Sequence, residues 1–283
     1  DKQYITHTDD SLINRIVSFY ENYGDKERLM LAYYYQGSVY RDMNDAPRAL
    51  KAFQQAMDLN VPNYDLQAKT YNQMGALFMY QGLYDEVIRV NQKSIEAYLS
   101  LGKQSKVSYA QRDIARMYDI KNMPDSALHY YKEACQTALA DGDSARYDGI
   151  QGELGGFYYK TGNINQAKQT LKQMELSTHI KNKSHIYYIL GNLYHHAQNW
   201  DSAYYYKMKV LKTGNINKAC SSYAELAKLE SAKGNFQQAN HYWEKAIEFS
   251  DSIYRIRQTE SLVKINSVYN YQQKRKKNAL LIF

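Results

Sequence analysis

The sequence of 283 residues contains few of the residues that cross-link a chain or break regular structure. Its two cysteines cannot form a disulfide framework, and a protein without disulfides can reside in any compartment. Three prolines and fourteen glycines argue against an all-β protein with many tight turns. HExxH and CxxC motifs and a glycine-rich phosphate loop are also missing. These absences disfavour disulfide-rich domains, all-β domains and the common zinc and nucleotide sites.

Most of the chain has no large excess of charge of either sign. The formal net charge is +7, but Lys274–Lys277 supplies four of the 36 basic residues. The remaining 279 positions hold 32 basic and 29 acidic residues. Phosphate binding usually needs a strongly one-sided charge, so we expect no nucleic-acid partner for this region.

The chain is rich in residues that build a helical core. Hydrophobic residues make up 44% of the sequence and charged residues 23%, which indicates a folded protein. Tyrosine is the outlier, with 30 copies. A phenol can pack its ring while its hydroxyl stays in water, so this composition favours a fold with much half-buried surface.

An internal repeat organises most of the sequence. Six small residues recur every 36 to 40 positions, namely Gly37, Gly75, Ala115, Gly155, Gly191 and Ala227. An aromatic residue stands three positions later in five copies, and Glu230 in the sixth. Small or apolar residues predominate twelve and nineteen positions later, and the position sixteen later holds Phe53, Asn91, Tyr131, Leu171, Lys207 and Trp243.

These columns predict pairs of packed helices. A small residue with an aromatic at i+3 lies on one helix face and lets a second helix approach closely, and the later positions form the matching face. Turn sequences separate the two faces, with N-caps predicted at Asp85, Asp125, Asn165 and Asp201. KTGNIN at 212–217 copies 160–165, but its position favours a turn between repeats, with the next helix capped near Asn217.

The columns together resemble those of the tetratricopeptide-repeat (TPR) family over residues 29–250. The resemblance implies an all-α, right-handed TPR helical solenoid of six repeats and thirteen to fifteen helices. Asn91, Lys207 and Glu230 depart from the family pattern. Residues 1–28 would form a partial N-terminal repeat whose helix over 9–23 ends at Gly24. Residues 251–283 would form a long C-terminal helix that covers the open end with Ile253, Ile256, Leu262, Val263, Ile265 and Tyr269.

Residues for catalysis or metal binding form no pattern. His195 and His196 are adjacent, so their side chains diverge by about 100° on a helix and cannot easily bind one metal ion, even with His185 nearby. Cys135 and Cys220 lie in repeats three and six, about 20 Å or more apart if helices pack at 8–10 Å, too far for a disulfide. We therefore expect neither an enzyme nor a bound cofactor or metal.

The family resemblance also implies a binding surface. In TPR proteins the first helix of each repeat lines a concave groove, where phenols beside amides and guanidinium groups can hold a protein or peptide partner. The simpler interpretation is that tyrosine is abundant everywhere in this chain. The groove residues carried over from the family are Tyr34, Tyr35, Arg41, Asn72, Tyr80, Arg112, Arg116, Tyr159, Tyr188, Asn192, His195 and Lys228.

The C-terminal residues bear on localisation. The apolar run 278–283 follows the basic cluster and is too short to cross a bilayer, which takes about 20 residues, but it can begin such a segment. This layout resembles the N-terminal TPR regions of Bacteroidetes-type membrane-anchored regulators and sensor proteins, which implies periplasmic repeats. Basic residues before a span instead favour a cytoplasmic side. A soluble cytoplasmic adaptor or transcriptional regulator is the alternative, and a glycan-binding TPR protein is a weaker one.

Overall fold

The computed structural model describes the backbone of residues 7–280 and the side chains of 7–103 and 106–258. Thirteen helices and no strand occur in this range, which confirms the all-α prediction. The helices are α1 (Ser11–Tyr23), α2 (Lys26–Asp42), α3 (Ala46–Asp58), α4 (Tyr64–Gln81), α5 (Tyr84–Ser100), α6 (Gln104–Ile120), α7 (Pro124–Ala140), α8 (Ser144–Lys160), α9 (Ile164–Leu176), α10 (Ser184–His196), α11 (Trp200–Leu211), α12 (Ile216–Ala232) and α13 (Phe236–Leu280).

The chain forms two compact units. Of the described residues, unit 1 comprises 7–123 and 261–280, and unit 2 comprises 124–260. Within each unit, helices joined by short turns pack as neighbouring pairs: α2 with α3 and α4 with α5 in unit 1, and α8 with α9 and α10 with α11 in unit 2. We call each even-numbered helix from α2 to α12 a first helix, and the helix that follows it in the chain its second helix.

The small-residue column marks the place where the two helices of a pair meet. A Cβ atom added to Gly37 would lie 2.5 Å from the ring of Phe53, and one added to Gly155 would lie 2.7 Å from Leu171. Both partners stand sixteen positions after their glycine, and both side chains are 0% exposed. The predicted packing columns are therefore confirmed in these pairs, because glycine is what lets the second helix seat its large residue.

Two departures from the column pattern are accommodated locally. Asn91 is buried and donates its amide to the backbone oxygen of Val87 on its own helix, 2.9 Å away. Glu230, which replaces an aromatic, accepts hydrogen bonds from Asn235 at 2.7 Å and Lys233 at 3.2 Å at the end of α12. The Asn235 bond chiefly holds the pKa of Glu230 below its usual value.

The predicted N-caps Asp85, Asp125, Asn165 and Asp201 are wrong, because each is the second residue of its helix and not the residue before it. All four lie inside their helices, which begin earlier, at Tyr84, Pro124, Ile164 and Trp200. At α11, Asn199 is the cap, and its side chain accepts from the Ser202 amide at 3.1 Å. The three aspartates stand in the first turn, where a negative charge is favoured by the helix dipole.

The turn before α12 lies between repeats, as the sequence predicts. α11 ends at Leu211, Gly214 has a φ of +72°, and α12 begins at Ile216. The cap is Asn215, which accepts from the Lys218 amide at 3.1 Å, two residues before the predicted position. The N-terminal helix also ends as predicted, at the left-handed Gly24 with a φ of +78°.

The last helix, α13, runs without a break through the predicted boundary at 250/251. Its 45 residues correspond to about 68 Å at 1.5 Å per residue. Ile253 is half-buried and Ile256 is 48% exposed. The other predicted capping side chains (Leu262, Val263, Ile265 and Tyr269) and the side chains of Lys274–Lys277 lie outside the described part of the chain, as do residues 281–283.

Candidate functional site

All twelve predicted groove residues lie on first helices. Seven are in unit 1, on α2, α4 and α6, and five are in unit 2, on α8, α10 and α12. Six of them take part in two local sites, one in each unit. Whether they share a concave surface stays a prediction.

In unit 1, Tyr34, Tyr35 and Arg41 line one cavity of about 970 Å³. Its walls come mostly from α1 and α2, with residues 7–9 and Gln73 of α4 completing them, and are mostly apolar. Leu12 and Leu31 are among the exposed residues, at 68% and 42%. Concave apolar cavities of this size with a few polar groups are typical ligand sites. This cavity can accept an apolar side chain beside two phenols.

Arg41 forms the polar end of the cavity and is held in place by its neighbours. Its guanidinium donates to Asp42 at 2.8 Å and to the Gln73 side-chain oxygen at 2.5 Å. Gln73 also lines the cavity, and the sequence analysis missed it in favour of its neighbour Asn72. The Asn72 amide instead bridges α4 to α5, donating to the Tyr98 hydroxyl at 2.9 Å and accepting from Ser94 at 2.8 Å.

The remaining unit 1 residues lie apart from this cavity. Arg112 and Arg116 on α6 share the carboxylate of Asp113, at 2.9 and 3.1 Å. Tyr80, near the end of α4, is 45% exposed. One carboxylate therefore compensates part of the charge of two guanidinium groups, and a ligand carboxylate would have to share the arginines with Asp113.

In unit 2, the structure brings Tyr159, Tyr188 and Asn192 together around a lysine that the sequence analysis did not assign to the site. Lys207, on the second helix α11, contacts the Asn192 side-chain oxygen and the carboxylate of Glu225. Its ammonium lies 4.6 Å from the centroid of the Tyr188 ring. We call these five residues the Lys207 cluster.

The Lys207 cluster joins three successive first helices through one buried charge. The Lys207 side chain is 0% exposed, while that of Glu225 is 28% exposed. Burial lowers the pKa of Lys207, and the nearby Glu225 carboxylate acts in the opposite direction. Burial also raises the pKa of Tyr159, against a hydrogen bond from Asn192 that lowers it. Phenols, an amide and a compensated ion pair are thus held on rigid helices.

His195 and Lys228 lie outside this cluster's contacts. The ring of His195 stands edge-on to Trp200, with centroids 5.2 Å apart. Lys228 is exposed on α12. A signal for Lys207 itself was present in the sequence, because a lysine sixteen positions after a column glycine replaces the usual bulky residue.

Two other features concern the described residues, namely metal binding and membrane spanning. No group of three or more histidine, cysteine or acidic side chains is arranged to hold a metal ion there. Within the same part of the chain, none of the helices combines the length and apolar character needed to cross a membrane. Both cysteines are free thiols, and Cys135 is buried.

The fold and the repeat columns define a class of protein built from repeated helical hairpins. Residues 66–140 match the family model of the tetratricopeptide repeat. The TPR resemblance is thus supported, and the fold is that of TPR-like solenoids. No curated protein sequence matches the chain significantly.

Solved structures show the same fold at low sequence identity. A STAND signal-transduction ATPase with a tetratricopeptide-repeat sensor from Pyrococcus horikoshii matches 91% of this chain with a TM-score of 0.71 and 15% identity. The chain spans only 42% of that protein. The apo form of RapI matches 87% of this chain and 81% of its own length, with a TM-score of 0.67 and 12% identity.

A third similar structure contains a peptide. The Rap conjugation gene regulator of plasmid pLS20, solved in complex with the Phr* peptide, matches 83% of this chain and 77% of its own length. The TM-score is 0.53 and the identity is 12%. At these identities the likeness establishes the fold.

Proposed function

We propose that this chain is a non-enzymatic, peptide-binding TPR domain whose first helices hold an extended segment of a protein partner. The observation that carries the proposal is the Lys207 cluster, where Tyr159, Tyr188 and Asn192 meet on adjacent helices around a buried ion pair. Peptide backbones need both apolar contact and hydrogen-bond partners, and phenols with an amide offer both. The likeness to a Rap regulator that binds the Phr* peptide supports this function.

The unit 1 cavity fits the same function in a complementary way. Its apolar wall beside Tyr34 and Tyr35 suits a side chain of a bound segment. Helices hold these residues before any ligand arrives, so less conformational freedom is lost on binding. We therefore expect this cavity to bind an apolar side chain of the partner.

The contacts of the reactive residue types support a non-enzymatic function. Ser177 donates to the carboxylate of Asp148 at 2.6 Å, and the ring of His179 contacts the same oxygen at 2.7 Å. Activation of a serine nucleophile requires a general base such as a histidine ring nitrogen to accept its proton. Here the serine hydroxyl is directed at a carboxylate instead. Burial raises the pKa of the Cys135 thiol to about 12, so little of it is thiolate at neutral pH.

Selection from a displayed library of random twelve-residue peptides tests the proposal. We expect peptides with micromolar affinity to be enriched on the wild-type chain and to bind Asn192→Ala and Tyr159→Phe at least tenfold more weakly. Tyr205→Phe is the matched control, because Tyr205 is 53% exposed and lies on a second helix. Failure to enrich any peptide, or equal binding by all four proteins, overturns the proposal.

A second comparison separates the predicted groove from the basic cluster near the C-terminus. For a partner that binds the chain, Arg112→Ala combined with Arg116→Ala should weaken binding strongly. Converting the four basic residues of 274–277 to glutamine should alter mainly association with anionic lipid, worth about 1 kcal/mol per charge. If the glutamine variant alone abolishes partner binding, the surface used is the C-terminal helix and the groove assignment is wrong.

We further propose that the repeats are the sensory or scaffolding part of a membrane-anchored signalling or regulatory protein, on the periplasmic side. The basic cluster followed by an apolar run supports an anchor beyond the repeats. The full-length gene product should remain in the membrane after alkaline carbonate washing, and an alkaline phosphatase fused to the N-terminus should be active. Release by carbonate would favour the cytoplasmic adaptor instead.

A further inference from the structure

Lys207 reaches the first-helix side of unit 2 from a helix that does not form that side. In the pair α8–α9, the residue sixteen positions after the column glycine is Leu171, which fills the space beside Gly155. In α10–α11 the same position is Lys207. A Cβ on Gly191 would lie 3.0 Å from its Cε and 3.2 Å from its Cδ. The methylene groups therefore pack as leucine does, and only the ammonium extends further.

The ammonium fixes the orientation of the Asn192 amide. Lysine has three N–H donors and no acceptor, so the Asn192 atom that faces it must be the side-chain oxygen. The amide nitrogen then points away from Lys207. The hydrogen bond between Asn192 and Tyr159 lowers the pKa of the phenol. An N–H donated to the phenol oxygen has this effect, because it favours the charged phenolate.

This arrangement leaves hydrogen-bond donors for a ligand. The Asn192 oxygen is taken by Lys207, so its NH₂ group is what it can offer. The Tyr159 oxygen accepts from that group, so its own O–H proton remains for another acceptor. Because Lys207 and Glu225 compensate each other's charge, the site offers no net positive charge to a ligand carboxylate. A neutral carbonyl oxygen fits these conditions.

We propose that Lys207 is a positioning residue that turns Asn192 and Tyr159 into a pair of donors for a main-chain carbonyl of the bound peptide. This inference rests on the proposed peptide-binding function. It adds that the peptide is recognised at this point by its backbone oxygen, and that the recognition depends on a side chain from the second helix α11.

Two variants separate positioning from simple packing. Asn192→Asp keeps an oxygen for Lys207 but removes both N–H donors, so we expect a thermal midpoint within about 3 °C of wild type and at least tenfold weaker binding of the selected peptides. Lys207→Met keeps the unbranched stem beside Gly191 and removes the ammonium, with the same expected loss. Lys212→Met is the matched control, because Lys212 is exposed just after α11.

If Asn192→Asp binds the selected peptides as tightly as wild type, the Asn192 NH₂ group is not a donor to the ligand and the proposal is wrong. Lys207→Met should add no further loss in an Asn192→Ala background, because it acts through that amide, and an additive loss overturns the positioning role. Should Lys207→Met fail to fold, the Asn192→Asp result decides alone.

A measurement without ligand distinguishes this inference from the proposed function. In ¹⁵N–¹H spectra, the Asn192 side-chain NH₂ signals are identified by their absence in Asn192→Asp. We expect Lys207→Met to shift them and to speed their exchange with water by at least threefold. Unchanged signals overturn the positioning of Asn192 whatever the peptides do. Shifted signals without any enriched peptide would remove the proposed function and the carbonyl ligand while leaving the fixed amide.

Discussion

Replacing Gly155 by alanine tests the packing of one helix pair with a single carbon atom. The new Cβ on α8 would lie 2.7 Å from Leu171 Cδ2 and 2.8 Å from its Cγ, well inside contact distance. Gly149 lies on the same helix, and a Cβ there would meet nothing within 4 Å. The Gly149→Ala variant is therefore a matched control with the same chemical change.

The two variants should differ in sign. Alanine in place of glycine inside a helix stabilises a protein by about 0.5–1 kcal/mol, and both variants gain this. Overpacking a core costs about 1–3 kcal/mol, and only Gly155→Ala incurs it. We expect Gly149→Ala to be more stable than wild type by about 0.5–1 kcal/mol and more stable than Gly155→Ala by about 1–3 kcal/mol.

Urea unfolding followed by circular dichroism at 222 nm measures this difference, provided the slopes agree between variants. Thermal midpoints should also separate, at about 2–4 °C per kcal/mol for domains of 150–250 residues. The clash should vanish in a Leu171→Ala background, because the methyl then has room. Equal stability of the two alanine variants would show that the glycine column is not where the helices meet.

Three further predictions concern titratable groups of unit 2. Burial alone would raise the pKa of Glu175, but hydrogen bonds from lysine and tyrosine neighbours outweigh it and lower the pKa. Its stabilisation is therefore present at pH 7 and lost as the pH falls through the lowered pKa. The urea midpoints of wild type and Glu175→Gln should differ at pH 7 and approach each other on acidification. Burial lowers the pKa of Lys207, so the unfolded chain binds more protons than the folded one between that pKa and 10.5. Wild type should therefore gain stability relative to Lys207→Met as the pH rises through this window. Urea midpoints of the two proteins that run parallel from pH 7 to 10 would contradict this. Because the pKa of Cys135 is raised to about 12, its thiol should react with Ellman's reagent at pH 8 only after unfolding. Mass spectrometry of the treated native protein shows whether Cys135 is modified, and its modification there would contradict the prediction.

The sequence predicted the helix pairs because their packing is local and repeated. Gly37 with Phe53 and Gly155 with Leu171 stand sixteen positions apart in both copies, and a short turn leaves helices of fixed length one way to pair. The sequence also showed which residues depart from the column pattern. It did not show how the structure accommodates them. Glu230 is held by hydrogen bonds from Asn235 and Lys233, and no periodicity in the sequence encodes that side-chain geometry.

The candidate site was harder to predict, since its residues depend on the exact rotation of each helix. A shift of one residue turns a helix face by about 100°. That shift separates Asn72, which bridges α4 to α5, from Gln73, which lines the cavity with Arg41. Tyr34 and Tyr35, which the family resemblance assigns to a groove, both line this cavity.

Lys207 was missed for a different reason. The family pattern assigns its position to packing, and the side chain does pack, but the sequence does not show where a long side chain ends. Only the open path beside Gly191 reveals that the ammonium reaches Asn192 and Glu225. In the proposed site, a residue of a packing column would therefore contribute to ligand recognition.

The path beside Gly191 bears on how such repeats can diverge in evolution. A binding surface is usually thought to change by substitution of the residues that form it. Where a glycine leaves a passage between paired helices, a substitution on the hidden partner helix can add a charge to that surface and leave every surface residue unchanged. A methyl group at Gly191 would sit 3.0 Å from Lys207 Cε and narrow the passage. At Gly191, the second helix of a repeat is thus exposed to selection for ligand recognition.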